Sequence, residues 1–206
     1  MKRQSYDIKQ TTELLYQALE TELGGEKIYE QALTAAINEQ LREEWQKYLK
    51  DTRHHQEVLL GVFEELGLDP KAQSPGRKVV KHLGQSLVQA TEQASQAGGP
   101  AAAQLVAAEC VILAETKDHL NWELIGHVAE HGEGPWTKTL RHAFDEVETD
   151  EDHHLYHTKG WTRELWIESL GLPAALPPPE EIKKVETAIG AARAEKARAP
   201  KVAGKR

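Results

Sequence analysis

The chain has 206 residues, 39% of them hydrophobic and 28% charged, enough to bury a sizeable core in one large domain or two small ones. Its net charge of -8 argues against nucleic acid as the main partner. The lone Cys110 excludes an intramolecular disulfide framework, the start MKRQSYDIKQ lacks a signal-peptide core, and no apolar run reaches membrane length, so the expectation is a soluble cytoplasmic protein.

Helical periodicity dominates, and Ala, Leu, Glu and Gln are abundant. The spacing predicts a first helix over 11–37 and a second over 39–66, which Gly67 and Pro70 in GLDP bring to a stop. A turn-rich DPKAQSPG leads to a shorter helix over 77–96, and AGGP breaks the chain at 97–100. A third long helix spans 101–131, and HGEGPW separates it from a fourth over 135–170. GLPAALPPP then forms a stiff linker. A last amphipathic helix over 180–199 carries Ile182, Val185, Ile189 and Ala192 on one stripe, and PKVAGKR reads as a disordered end. Residues 177–206 hold eight Lys/Arg against four Glu; a short basic tail of this kind solubilises more often than it binds nucleic acid.

Four long helices in two short-linked pairs, joined by a long excursion, predict an all-α four-helix bundle over 1–172 with a short helix in its crossover. A Pro-rich linker, helix and basic tail over 173–206 complete the domain plan.

The two halves read as a duplicated hairpin. Leu41, Trp45, Tyr48, Thr52, His55 and Leu59 follow the same steps as Leu140, Phe144, Val147, Glu151, His154 and Thr158. The stripes therefore turn the second histidine of each doublet inward and leave His54 and His153 on the flank with Asp51 and Asp150. Likewise Glu22, Glu26 and Tyr29 match Glu115, His119 and Trp122. Counting from the two turns brings Glu22, Glu26, His55, Glu115, His119, Glu151 and His154 to one level. Buried carboxylates at one level repel, and need protons or a cation to coexist. Carboxylate oxygens with imidazole nitrogens suit iron, manganese or zinc, one or two ions per chain. A proton-sharing polar network without metal is the other reading of the same residues.

These residues resemble the ferritin-like superfamily, whose bundles use a Glu from each of two helices and Glu-x-x-His from each of the other two. Glu22 and Glu115 match the lone glutamates and Glu151-x-x-His154 matches one motif, while Thr52 stands where the other carboxylate belongs. YLKDTRHHQEVLLGVFEELGLDP looks like the second helix of the bacterial stress-induced ferritin-like family. No paired cysteines exist for a rubredoxin-type iron site. The resemblance, over about residues 10–170, implies iron or manganese for oxidoreductase chemistry with dioxygen or peroxide, or iron handling in stress. It assigns Glu115, Glu151 and His154 to one metal and Glu22 with His55 to the other. Glu26, His119 and Glu148 become extra ligands or ring-orienting partners, and Tyr29 and Trp122 lie next along the same stripes. The alternative is a metal-free helical stress or interaction protein that keeps the fold without the chemistry. A homo-oligomer remains open.

Overall fold

The structure, a computed structural model, describes residues 4–200. Among them the protein is all-α, apart from a parallel pairing of Gln4–Ser5 (β1) with Gly132–Glu133 (β2). Five helices run long: α1 (Ile8–Ala35), α2 (Glu39–Leu66), α3 (Pro75–Ala97), α4 (Pro100–His131) and α5 (Thr137–Ser169). Their ends follow local chemistry. Asp7, Asn38 and Ser74 accept backbone N–H groups as N-caps of α1, α2 and α3, and Gly67 closes α2 in the left-handed region at φ 66°.

α1 packs on α2 and α4, and α5 packs on α4 and α2, so the four longest-spaced stripes face one another. α3 is the crossover; it lies outside this group, against α1 and α4. It approaches α1 where Gly24 meets Gly84, each close enough that a built Cβ would touch the other's Cα at 3.6–3.8 Å. Gln104 of α4 ties down the α1–α2 turn by accepting from the backbone N–H of Ile37 and Asn38 at 2.8 and 2.7 Å.

The core comes in two apolar clusters. One gathers Ile28, Ala32, Leu41, Trp45, Val111, Trp161 and Leu165; the other gathers Leu15, Leu19, Leu59, Phe63, Ile125, Leu140 and Val147. Between these clusters along each helix fall Glu22, His55, Glu115, Glu151 and His154, all buried. The polar layer is thus walled off from water above and below.

The C-terminal helix expected over 180–199 is instead two short helices, α6 (Pro179–Ile182) and α7 (Ala188–Lys196). The expected stripe does not form a face: Val185 is buried, whereas Ile182, Ile189 and Ala192 are exposed. Contacts with α5 override the periodicity. Glu180 is buried in a two-pronged ion pair with Arg163 at 2.7 and 2.9 Å, and Arg198 grips Glu164 in the same way at 2.8 and 3.0 Å. Residues 173–200 therefore form a strap along α5. Of the expected disordered end, Pro200 is described and exposed, and 201–206 lie outside the described residues. No helix among the described residues is long and apolar enough to cross a membrane.

Candidate metal centre

Each long helix contributes to the polar layer: α1 Glu22, α2 His55, α4 Glu115 and Asp118, α5 Glu151 and His154. None is more than 5% exposed. His55 Nδ1 lies 3.1 Å from Glu151 Oε1 and 3.4 Å from Glu22 Oε1. His154 Nδ1 lies 3.6 Å from Glu115 Oε2 and 3.9 Å from Glu151 Oε1. The two imidazoles stack with centroids 5.6 Å apart.

The contacts around this layer are reciprocal, as a two-fold relation between the halves requires. Trp122 Nε1 of α4 donates to Glu22 of α1 at 2.8 Å, and the Tyr29 hydroxyl of α1 donates to Glu115 of α4 at 2.7 Å. Asp51 of α2 reaches His154 Nε2 at 3.5 Å, and Asp150 of α5 reaches His55 Nε2 at 3.7 Å. Both imidazoles thus turn Nδ1 toward the glutamates and Nε2 toward an aspartate. A carboxylate behind the far ring nitrogen fixes the tautomer and orientation that a ligating histidine needs.

Hydrogen bonding leaves the centre unfinished. Among the described residues, Glu22 Oε2, Glu115 Oε2, Asp118 Oδ1, both Glu151 oxygens and both His55 nitrogens are buried without a partner of hydrogen-bond geometry. Buried polar atoms are ordinarily satisfied, and leaving one bare costs about 1–3 kcal/mol. The donor atoms fall into two sets, each within 4.8 Å: His55, Glu151 and His154 in one, Glu22, Asp118 and Glu151 in the other. Glu151 belongs to both.

The protonation pattern follows from this crowding. Burial and the repulsion of Glu22, Glu151 and Glu115 push Asp118 well above the usual carboxylate range. Burial likewise raises Glu151 to about 7, although His55 pulls it down. Burial opposes a proton on His154, but Asp51 and Glu115 overcome it and hold the ring at about 9. His55 is raised too, with burial outweighed by Glu22, Asp150 and Glu151. Burial and Glu115 keep Tyr29 neutral, and hence a donor, far above neutral pH.

The sequence-predicted residues divide. Glu22, His55, Glu115, Glu151 and His154 come together, and the ligand-atom sets pair them differently from the expectation: His55 groups with His154, and Glu22 with Asp118. Glu26 does not join them; Arg53 and Gln56 hold it at 2.8 and 3.2 Å on the outer side of α1 and α2. His119 turns out of the layer to Asp152, 2.9 Å away, and Glu148 is exposed on α5. His54 and His153 occupy the flank, where they meet Glu146 and Glu186. Cys110 is buried away from the layer. Asp118 is the residue sequence reasoning missed. Its signal was the i+3 spacing in ETKD, which places it on the Glu115 face as readily as i+4 places His119.

Thr52 and Gly25 occupy, in the first half, the positions of Glu151 and Asp118 in the second. They face each other, a built Gly25 Cβ lying 3.6 Å from Thr52 Cγ2. The carboxylates missing from one side of the layer are thus concentrated on the other. No protein-family model, curated protein or solved structure matches the chain.

Proposed function

We propose that this protein is a ferritin-like metal-binding bundle, holding one or two first-row transition ions between α1, α2, α4 and α5. The observation that carries the reading is the set of buried, unpartnered donor atoms on Glu22, His55, Glu115, Asp118 and Glu151. Four carboxylates face two imidazoles there, so with all four ionised the layer is short of positive charge even when both rings are protonated. A divalent ion supplies it.

Oxygen and nitrogen donors without a thiolate favour iron or manganese, with zinc as the non-redox alternative. Glu151, common to both donor sets, is the natural shared ligand, with His55 and His154 on one side and Glu22 and Asp118 on the other. Glu115, hydrogen-bonded to Tyr29, stands beside His154. Iron or manganese held there would supply redox chemistry with dioxygen or peroxide, or place iron in store. The chain's own part is to exclude water with two apolar clusters, to orient the imidazoles through Asp51 and Asp150, and to fix Glu22 and Glu115 through Trp122 and Tyr29.

The test is elemental analysis of protein purified without chelator from iron- and manganese-supplemented growth. About one to two equivalents per chain are expected, and Glu151→Ala should remove most of them because both sets lose a member. Wild-type protein carrying no metal would overturn the reading. The metal-free alternative, a helical stress or interaction protein, is favoured by the Thr52–Gly25 pair and by the raised Asp118 and Glu151, which let protons serve as the counter-charge. The same measurement decides between them.

A further inference from the structure

A surface cavity of about 200 Å³ opens between α4 and α5 beside the polar layer. Trp122 and Glu151, only 1% and 2% exposed, lie at its inner end, with Phe144 on the wall. Glu123, Glu148 and Asp152 ring the outer part, with His119 held by Asp152. The residue at the inner end is thus the one that belongs to both donor sets, and neither of its oxygens has a hydrogen-bond partner among the described residues. A water occupies about 30 Å³, so the space takes a small ion with about six waters. Acidic side chains around apolar walls focus their field into the cavity, which raises the local concentration of cations. The apolar cavity of about 280 Å³ between α1, α3 and α4 offers no such path, since it touches no member of either donor set and has Lys117 in its lining.

We propose that the α4–α5 cavity is the port through which a hydrated divalent metal ion reaches Glu151, drawn in by Glu123 and Glu148. This rests on the metal reading above. It gives Glu148 a role that needs no ligation: the side chain attracts the ion and Glu151 receives it.

Stopped-flow mixing of metal-free protein with Co²⁺, followed by tryptophan fluorescence, tests the port. Glu148→Lys should slow loading roughly tenfold at low ionic strength, with the difference closing as salt is added. Glu148→Gln, a milder change, should slow it less, and the final cobalt content should be unchanged in both. Glu168→Lys, the same reversal at an exposed site near the end of α5, serves as the control for net charge and should have a much smaller effect. Equal loading rates for Glu148→Lys and Glu168→Lys would overturn the port while leaving the centre intact. A wild type that takes up no Co²⁺ at equilibrium would overturn the centre, and the port with it.

Discussion

Asp118 and His119 are neighbours on α4, yet only the aspartate enters the polar layer. From Glu115 they stand at i+3 and i+4, positions that share a helix face, so sequence spacing alone does not choose between them. Packing chooses. His119 is drawn off by Asp152 on α5, and Asp118 is left buried against Glu22 and Glu151. Asp118→Asn is therefore expected to lower metal content by about one equivalent, because one donor set loses one of its three carboxylates. In metal-free protein burial and the neighbouring carboxylates already hold Asp118 protonated, so the same change removes no charge and should leave the melting temperature nearly unchanged. His119→Ala should keep the wild-type metal content. Elemental analysis and calorimetry of the two variants side by side check this, and an equal loss of metal in His119→Ala would return the histidine to the site. The histidine doublets were easier to read. Their inward members sit within long stripes of Leu, Trp and Tyr that only one register satisfies.

At the scale of elements, the long helices were legible because buried stripes of 3.6-residue period run along α1, α2, α4 and α5, with capping side chains at Asp7 and Asn38 and glycines at the ends of α2 and α4. The strap was not. Its stripe of Ile182, Val185 and Ile189 suggested a free amphipathic helix, but the deciding contacts are long-range ion pairs that no local pattern announces. Their consequence is testable. Ending the chain after Leu176 removes both Glu180 from Arg163 and Arg198 from Glu164, together with the burial of Val185 and Ala194. Exposing Val185 and Ala194 costs about 2–4 kcal/mol and each part-exposed ion pair adds up to about 1 kcal/mol, so a loss of about 3 kcal/mol is expected, at about 2–4 °C of Tm per kcal/mol in a chain of this size. The truncated chain should melt at least about 6 °C lower, with its metal content retained, because no strap residue belongs to either donor set. Gly160→Ala probes the same contact more gently, since its Cβ would lie 2.6 Å from Glu180 Oε2. An unchanged Tm in both would show that the strap does not hold to α5.

In the molecule as a whole, the two-fold exchange of contacts between the halves joins four helices at one polar layer, so the layer's protonation bears on global stability. In the metal-free chain His154 is raised from 6.5 to about 9. Its contribution is complete below pH 6.5 and is lost as pH rises through 9. Glu151 is raised from 4.5 to about 7, so the folded chain also holds that proton more tightly, and its contribution disappears by about pH 7. Both act in the same direction: metal-free stability should fall between about pH 4.5 and 9. A metal ion reverses the trend, because it binds the deprotonated ligands and takes the place of the protons. The difference in Tm between metal-loaded and chelator-treated protein should therefore widen steadily with pH over that range. Glu151→Gln, which cannot ionise, should flatten the lower part of the metal-free profile. Melting curves at several pH values in matched ionic strength measure all three. A metal-free Tm that holds steady or climbs toward pH 9 would mean that the layer is not held by protons, and that Glu22, Glu115, Asp118 and Glu151 are neutralised by another route.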